Sequence, residues 1–198
     1  MRTARTLSRL HARAKSLRRG PALPPLFLVT DPARTPDPAA LLERLPRGTG
    51  VIYRAFGAPE AETVARRLQA IARRRGLELL IGAGEPRLAR AGVHLPERLA
   101  LEARRFRRPG RLVTAAAHGA AAIRRARLAG CDAVLVSAVF ESRSPSADRP
   151  LGPARFSALV RAAGLPVYAL GGVNHRTARR LLACGAAGLA AVEAFTAP

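Results

Sequence analysis

From Leu26 onward the chain alternates short apolar runs of strand length with longer stretches whose apolar residues recur at helical spacing. The runs "LFLVT" (26–30), "GVIYR" (50–54), "LELLI" (77–81), "GVHL" (92–95), "RLVTAA" (111–116), "AVLVS" (133–137), "VYAL" (167–170) and "GLAAV" (188–192) read as strands. Between them the pattern predicts helices near 38–45, 60–75, 86–90, 97–106, 119–128, 153–163 and 177–183. Asp37 before Pro38 suits a helix start, and Gly76 suits a helix stop. Strands alternating with helices imply βαβ units. Eight such units in about 170 residues favour an α/β fold of the (β/α)8 TIM-barrel type over an open doubly wound sheet, which usually has fewer strands.

In a barrel, functional groups belong at the carboxyl ends of the strands. Here those ends are Asp31, Arg54, Gly82-Ala83, His94-Leu95, Ala116 to His118, Ser137 to Ser146, Gly171-Gly172 and Glu193. The expected organisation is a basic N-terminal extension (1–21) followed by a single barrel domain (22–198), with "GVHL" and "VYALGG" as neighbouring strands of the core. Leu7, Leu10 and Leu17 give the extension a thin apolar stripe, compatible with a docked helix or with a basic tail.

Composition changes this picture in three places. The longest apolar runs fall far short of the roughly 20 residues that span a bilayer, so no membrane association is expected. The N-terminus lacks the apolar core of a secretory signal, which makes the cytoplasm the expected location. The net charge of +21 invites a nucleic-acid reading, but Lys15 is the only lysine and arginines are scattered through every predicted helix. Aromatic residues make up only 4% of the chain, so no stacking platform for single strands accompanies the charge. Nucleic acid is therefore not an expected partner, or is bound only nonspecifically, with the arginines on the outer helical faces. Cys131 and Cys184 form no metal-like cluster and read as small buried thiols.

The stretch "YALGGVNHRTARRLLACGAAGLAAVEAF" (168–195) has the form of a phosphate cradle. Gly171-Gly172 lets backbone N–H groups approach an anion, and the segment after the last strand offers a helix N-terminus. His94 and His118 fall near the expected mouth, His175 follows Asn174 at a helix start, and His11 lies in the extension. A histidine at a mouth is the commonest general acid or base, so His118 joins Arg54 as a candidate catalytic residue.

Taken together, "LFLVTD", "GVHL", "AVLVSAVFESRS" with the following "LG", and "VYALGGVN" with "CGAAGLAAV" resemble the thiamine phosphate synthase/TenI superfamily, over Leu26 to Phe195. The resemblance implies a TIM barrel of thiamine biosynthesis that joins a pyrimidine pyrophosphate to a thiazole phosphate. Where the family has "QLR.K", this chain has "IYRAF": Arg54 stands, but Ile52 and Phe56 replace the glutamine and lysine. The two magnesium-ligand aspartates fall at Ala83, within Gly82-Ala83, and at Leu99, with Glu97 nearby. Mg²⁺ is therefore implied only if synthase activity is retained, and no metal ligands are assigned.

In the leaving-group loop, "FESRSP" keeps hydroxyls at Ser142 and Ser144, puts Pro145 in place of the lysine and offers Arg143 as an alternative cation. Glu193 stands where a small hydroxyl residue commonly follows the last strand, and its carboxylate competes for the same donors as a substrate phosphate. Ala138 takes the position of the tautomerase histidine. The substrate-binding set is thus Arg54, Ser142, Arg143, Ser144, Gly171, Gly172 and Glu193. The leading expectation is a family member with weakened or lost synthase and tautomerase chemistry. Its alternatives are a non-catalytic barrel for a small phosphorylated or heterocyclic ligand and a nonspecific nucleic-acid-associated protein. A homodimer is compatible with all three.

Overall fold

The structure is a computed structural model that describes residues 13, 23–84, 88–142 and 149–192. Eight parallel strands close into a barrel in the order β1 to β8, each paired with its sequence neighbours and β8 with β1. They are β1 Leu26–Val29, β2 Gly50–Tyr53, β3 Glu78–Gly82, β4 Gly92–Leu95, β5 Val113–Ala117, β6 Ala133–Val136, β7 Val167–Ala169 and β8 Gly188–Ala191. Helices α1 Pro38–Leu42, α2 Ala61–Arg75, α3 Ala103–Phe106, α4 Ala120–Leu128 and α5 Gly152–Ala162 lie outside. The single barrel predicted from the alternating pattern is the observed fold.

Side-chain alternation along each strand divides the core in two. Phe27, Val29, Ile52, Leu80, Ala133, Leu135, Tyr168 and Ala190 fill the barrel interior. The opposite faces meet the helices through residues such as Leu28, Val51, Leu68, Val134 and Leu181. At the amino end of the interior the rings of Phe27 and Tyr168 meet edge to face at 4.9 Å, and the Tyr168 hydroxyl donates to the Pro24 carbonyl at 2.6 Å. Two glycines make room for these rings. A Cβ at Gly50 would lie 2.2 Å from Phe27 Cε1, and one at Gly188 would lie 2.6 Å from Tyr168 Cε1. Two large aromatics therefore require two strands to begin without side chains.

The structure departs from the sequence expectations in several elements. "GVHL" and "VYAL" are not neighbours: β4 pairs with β3 and β5, and β7 with β6 and β8. In the sequential closed barrel each strand lies between its sequence neighbours, which separates β4 from β7 by two strands. No helix forms over 88–90, where Leu88 to Arg90 instead make a turn; residues 85–87 lie outside the described set. The segment 97–106 is a 3-10 helix, Glu97–Glu102, running into the short α3, and 177–181 is likewise 3-10. β5 starts at Val113 because Gly110, at φ +70°, closes a turn in which Arg111 N–H donates to the Arg108 carbonyl. Among the described residues no helix is long and apolar enough to cross a membrane. Apart from Arg13, the basic extension lies outside them.

Candidate functional site

Arg54, just beyond β2, is built into the mouth by β1. The register that pairs Val29 with Ile52 brings Thr30 against Arg54. Thr30 Oγ1 accepts the Arg54 backbone N–H at 2.9 Å, and Arg54 Nε donates to the Thr30 carbonyl at 2.9 Å. The guanidinium then stands 3.8 Å from Asp31 Oδ2, which also takes a 2.8 Å bond from Arg34 Nη2. The hydrogen bond from Arg34 holds the Asp31 carboxyl below its ordinary range, against the effect of burial and with help from the Arg54 charge. Burial lowers the Arg54 pKa, Asp31 opposes that shift, and the guanidinium stays charged. Phe56, exposed beside it, puts its ring 5.2 Å from the Arg54 guanidinium carbon.

His94 and Thr114 are register partners on β4 and β5, and their side chains share a 2.9 Å hydrogen bond through Nδ1. Thr114 is fully buried and His94 nearly so. Burial, reinforced by the Arg54 charge, lowers the His94 pKa to about 3, so the ring is neutral at physiological pH. Gln69 Nε2 is the one buried side-chain nitrogen or oxygen without a partner among the described residues. The other ring nitrogen of His94 is therefore not sealed off without a partner. A neutral imidazole beside a cationic guanidinium can exchange hydrogen bonds with a heterocycle or accept a proton transiently.

His118 sits on the rim and is exposed. Glu97 Oε2 accepts both its backbone N–H, at 3.0 Å, and its ring at Nδ1, at 2.8 Å. A carboxylate only accepts, so the ring donates to it through Nδ1. Glu97 Oε1 takes Arg125 Nη2 from α4 at 2.7 Å. Both carboxylate oxygens thus tie the loop after β5 to the segment after β4. This bears directly on the magnesium that the sequence resemblance raised: Ala83 and Leu99 have no side-chain oxygen, and Glu97 already accepts three N–H groups from His118 and Arg125. The side chains at these positions do not fit Mg²⁺, which prefers several hard oxygens.

Gly171 and Gly172 follow β7 with φ of +88° and +64°. The loop after β6 packs directly onto them. A Cβ on Gly171 would fall 2.8 Å from Ala138 Cα, and one on Gly172 would fall 2.3 Å from the Glu141 carbonyl oxygen. Val139 N–H donates to the Leu170 carbonyl and Phe140 N–H to that of Gly171. The pair is needed for this close approach and left-handed backbone in the absence of any ligand. Asn174 then closes the next turn, its side chain accepting the N–H groups of Arg176 and Thr177, while Thr177 Oγ1 donates to the Gly172 carbonyl.

The structure brings together Arg54 and His94 at the end of the barrel interior, Glu97 with His118 on one rim, and Gly171-Gly172 with the loop that leads to Ser142. His175 is half-buried in the turn after Asn174. Arg143, Ser144, Glu193 and His11 lie outside the described residues. Sequence reasoning missed the coupling of Asp31 and Arg34 to Arg54 and the Thr114 partner of His94. Their signals were Asp31 at a strand end and a lone threonine in an alanine-rich strand. The described connections at this end of the barrel (30–38, 54–61, 83–84, 96–102, 118–120, 137–142, 149–151, 170–177 and 192) carry five arginines and six acids.

The family model described as thiamine monophosphate synthase matches residues 26–195. A thiamine-phosphate synthase of Methanococcus maripaludis is 30% identical over 87 residues, which are 44% of this chain and 42% of that protein. The thiamine biosynthesis bifunctional protein ThiM/ThiE of Symbiobacterium thermophilum is 36% identical over 106 residues, 52% of this chain and 22% of that protein. The matched part thus spans less than half the length of each of these curated relatives. The thiamine phosphate pyrophosphorylase structure from Pyrococcus furiosus superposes with a TM-score of 0.71 at 21% identity, covering 90% of this chain and 87% of that one, a likeness of fold. With a closed eight-stranded barrel and a family match that runs from the first strand to beyond the last, the chain belongs to the thiamine monophosphate synthase family.

Proposed function

We propose that this chain is a thiamine phosphate synthase-family barrel that holds a small heterocyclic or phosphorylated ligand at its mouth, with synthase and tautomerase chemistry weakened or lost. The observation that carries this reading is the state of Glu97. It lies two residues from Leu99, and His118 and Arg125 occupy both its oxygens. Without a divalent cation, the charge of the leaving pyrophosphate would fall to side chains such as Arg54, Arg143 and the serines of the loop at 142–144. Arg54 is already shared with Asp31. The mouth connections, with one more acid than arginine among the described residues, also disfavour a highly charged pyrophosphate.

The same geometry supports ligand binding. Arg54 can meet a phosphate or a ring nitrogen, neutral His94 offers hydrogen bonding beside it, and Phe56 gives an apolar face at the edge. His118, on the rim, is the candidate base. Calorimetric titration with thiazole phosphate, pyrimidine pyrophosphate and thiamine phosphate, each with and without Mg²⁺, tests the reading together with an assay for thiamine phosphate formation. The expected result is binding of at least one ligand that Mg²⁺ does not strengthen, and no turnover. Mg²⁺-dependent product formation by the unmodified protein refutes it.

A further inference from the structure

The barrel is electrically lopsided along its axis. All strands run in one direction, so the connections that enter them lie at the end opposite the mouth. Among the described residues these connections are 43–50, 73–78, 88–92, 106–113, 128–133, 162–167 and 182–188, and they carry nine arginines against three acids. All nine precede β2, β3, β4 or β5, which are adjacent in the barrel. The connections entering β6, β7 and β8 carry none themselves, although the last turns of the elements before them add Arg125, Arg127, Arg161, Arg179 and Arg180, with the Arg127 side chain against Gly164. The charge is therefore densest in an arc over the half of the face that enters β2 to β5. A coding bias toward arginine accounts for the number of arginines but not for this uneven density.

Part of the arc has a local cause. Arg73, Arg74 and Arg75 end α2, where cations complement the helix dipole. Arg47, Arg90, Arg108 and Arg111 lie in connections beyond the helix ends, so the dipole does not explain them. The three acids leave the arc strongly positive, since Glu43 pairs with Arg74, Asp132 accepts the Val113 N–H and faces Arg107, and Glu78 is half-buried. The segments are joined into one surface. Gly48 N–H donates to the Gly76 carbonyl, Arg75 reaches the Leu45 carbonyl, and the Arg47 side chain lies over Gly76. The chain enters β1 at this same end, where Pro25 O accepts the Leu189 N–H. The 22 residues before Leu23 contain seven basic side chains and no acid.

We infer that this arginine arc is a docking surface for the phosphate backbone of duplex nucleic acid, read without base specificity. This inference is independent of the ligand proposed for the mouth. Arginine's planar fork suits phosphate oxygens. Three inter-strand steps of about 4.8 Å give the arc a length on the order of 15 Å at the barrel wall, and more at the radius of the helix ends. That span matches several phosphates of a duplex, which carries a charge about every 1.7 Å of axis. Phosphate contacts alone bind without reading sequence. An anionic membrane is the poorer fit. Of the exposed large apolar side chains among the described residues, Phe56, Leu101, Leu128 and Leu182, none lies in the connections entering β2 to β5, so the arc has no apolar anchor.

The test is fluorescence anisotropy of the full chain with a labelled 30-base-pair duplex of mixed sequence across a salt series. If five of the arginines meet phosphates, the slope of log K against log salt is about −4.5, a roughly 500-fold loss of affinity between 50 and 200 mM. Arg44→Gln, Arg73→Gln, Arg90→Gln and Arg108→Gln combined remove four exposed charges from the arc. Arg67→Gln, Arg124→Gln, Arg155→Gln and Arg176→Gln combined remove four exposed charges elsewhere. Thermal melts of both confirm folding.

The arc variant is expected to bind at least tenfold more weakly at 100 mM salt, with a slope flattened by about 3 to 4, while the control stays within threefold of the unmodified protein. Equal losses in both variants mean that net charge alone attracts the duplex, and overturn the inference. So does an unchanged arc variant alongside a chain whose seven N-terminal basic residues are replaced by Gln and which no longer binds. Vesicles of three parts phosphatidylcholine to one part phosphatidylglycerol are titrated in parallel. Arc-dependent binding to vesicles that is tighter than to the duplex overturns the nucleic-acid assignment in favour of a membrane surface.

Discussion

The buried His94 makes the stability of this barrel sensitive to mild acid in a way that can be worked from its environment. Its pKa falls from 6.5 to about 3 on folding because burial and the Arg54 charge disfavour the imidazolium. Above pH 6.5 the ring is neutral in both states and contributes no pH dependence. Below 6.5 the unfolded chain takes up a proton that the folded chain refuses, so stability falls with decreasing pH until the folded ring also titrates near 3. The slope over that window is about 1.4 kcal/mol per pH unit, which makes the loss between pH 7.5 and 5 about 2 kcal/mol. Asp31 works in the same direction, but its contribution is lost mainly as pH falls from the ordinary carboxylate value through its lowered folded pKa, below this interval.

The perturbation is His94→Gln, which removes the titration while keeping a polar side chain beside Thr114. Urea unfolding of both proteins at pH 7.5, 6.5, 6 and 5 gives the comparison. The substitution costs stability at pH 7.5, where a 2.9 Å bond to a fully buried partner is disturbed. The expected result is a stability difference that shrinks by about 2 kcal/mol from pH 7.5 to 5. His118 and His175 remain in both proteins and cancel. Parallel pH profiles would refute the argument, because they would mean that His94 is protonated as readily folded as unfolded.

Gly172→Ala places a Cβ 2.3 Å from the Glu141 carbonyl oxygen at a φ of +64°, so denaturant unfolding is expected to show a loss of about 3 kcal/mol. Glu97→Gln removes the charge that holds His118 and Arg125; because all three side chains are partly exposed, the loss is expected to be no more than about 1 kcal/mol, with faster hydrogen exchange at the His118 amide. Glu193→Ser removes a carboxylate proposed to compete with phosphate near Gly171-Gly172, and is expected to tighten thiazole phosphate binding roughly tenfold by calorimetry without restoring turnover.

The eight strands were legible in the chain because each is a short apolar run between polar helices, and a period change needs no tertiary information to be seen. Arg54, His118 and Gly171-Gly172 were legible as positions for the same reason: a residue that ends a strand in a parallel barrel must lie at the mouth. The connection at 88–90 and the 3-10 segments were not, since the shortest helical patterns hold too few turns for periodicity to separate them from turns. The neighbours of β4 follow from the sequential strand order of the barrel rather than from any residue. What these positions do with one another was decided only by closure of the barrel. Glu97 meets His118 and Arg125 across 21 and 28 residues, Thr30 meets Arg54 across 24, and His94 meets Thr114 across 20. Local sequence sets which side chains are available, whereas their pairing, and hence which charges are neutralised, depends on strand register and on the way the connections gather at the two ends. For that reason a chain with arginines spread along its whole length presents a nearly balanced mouth and a strongly positive opposite end.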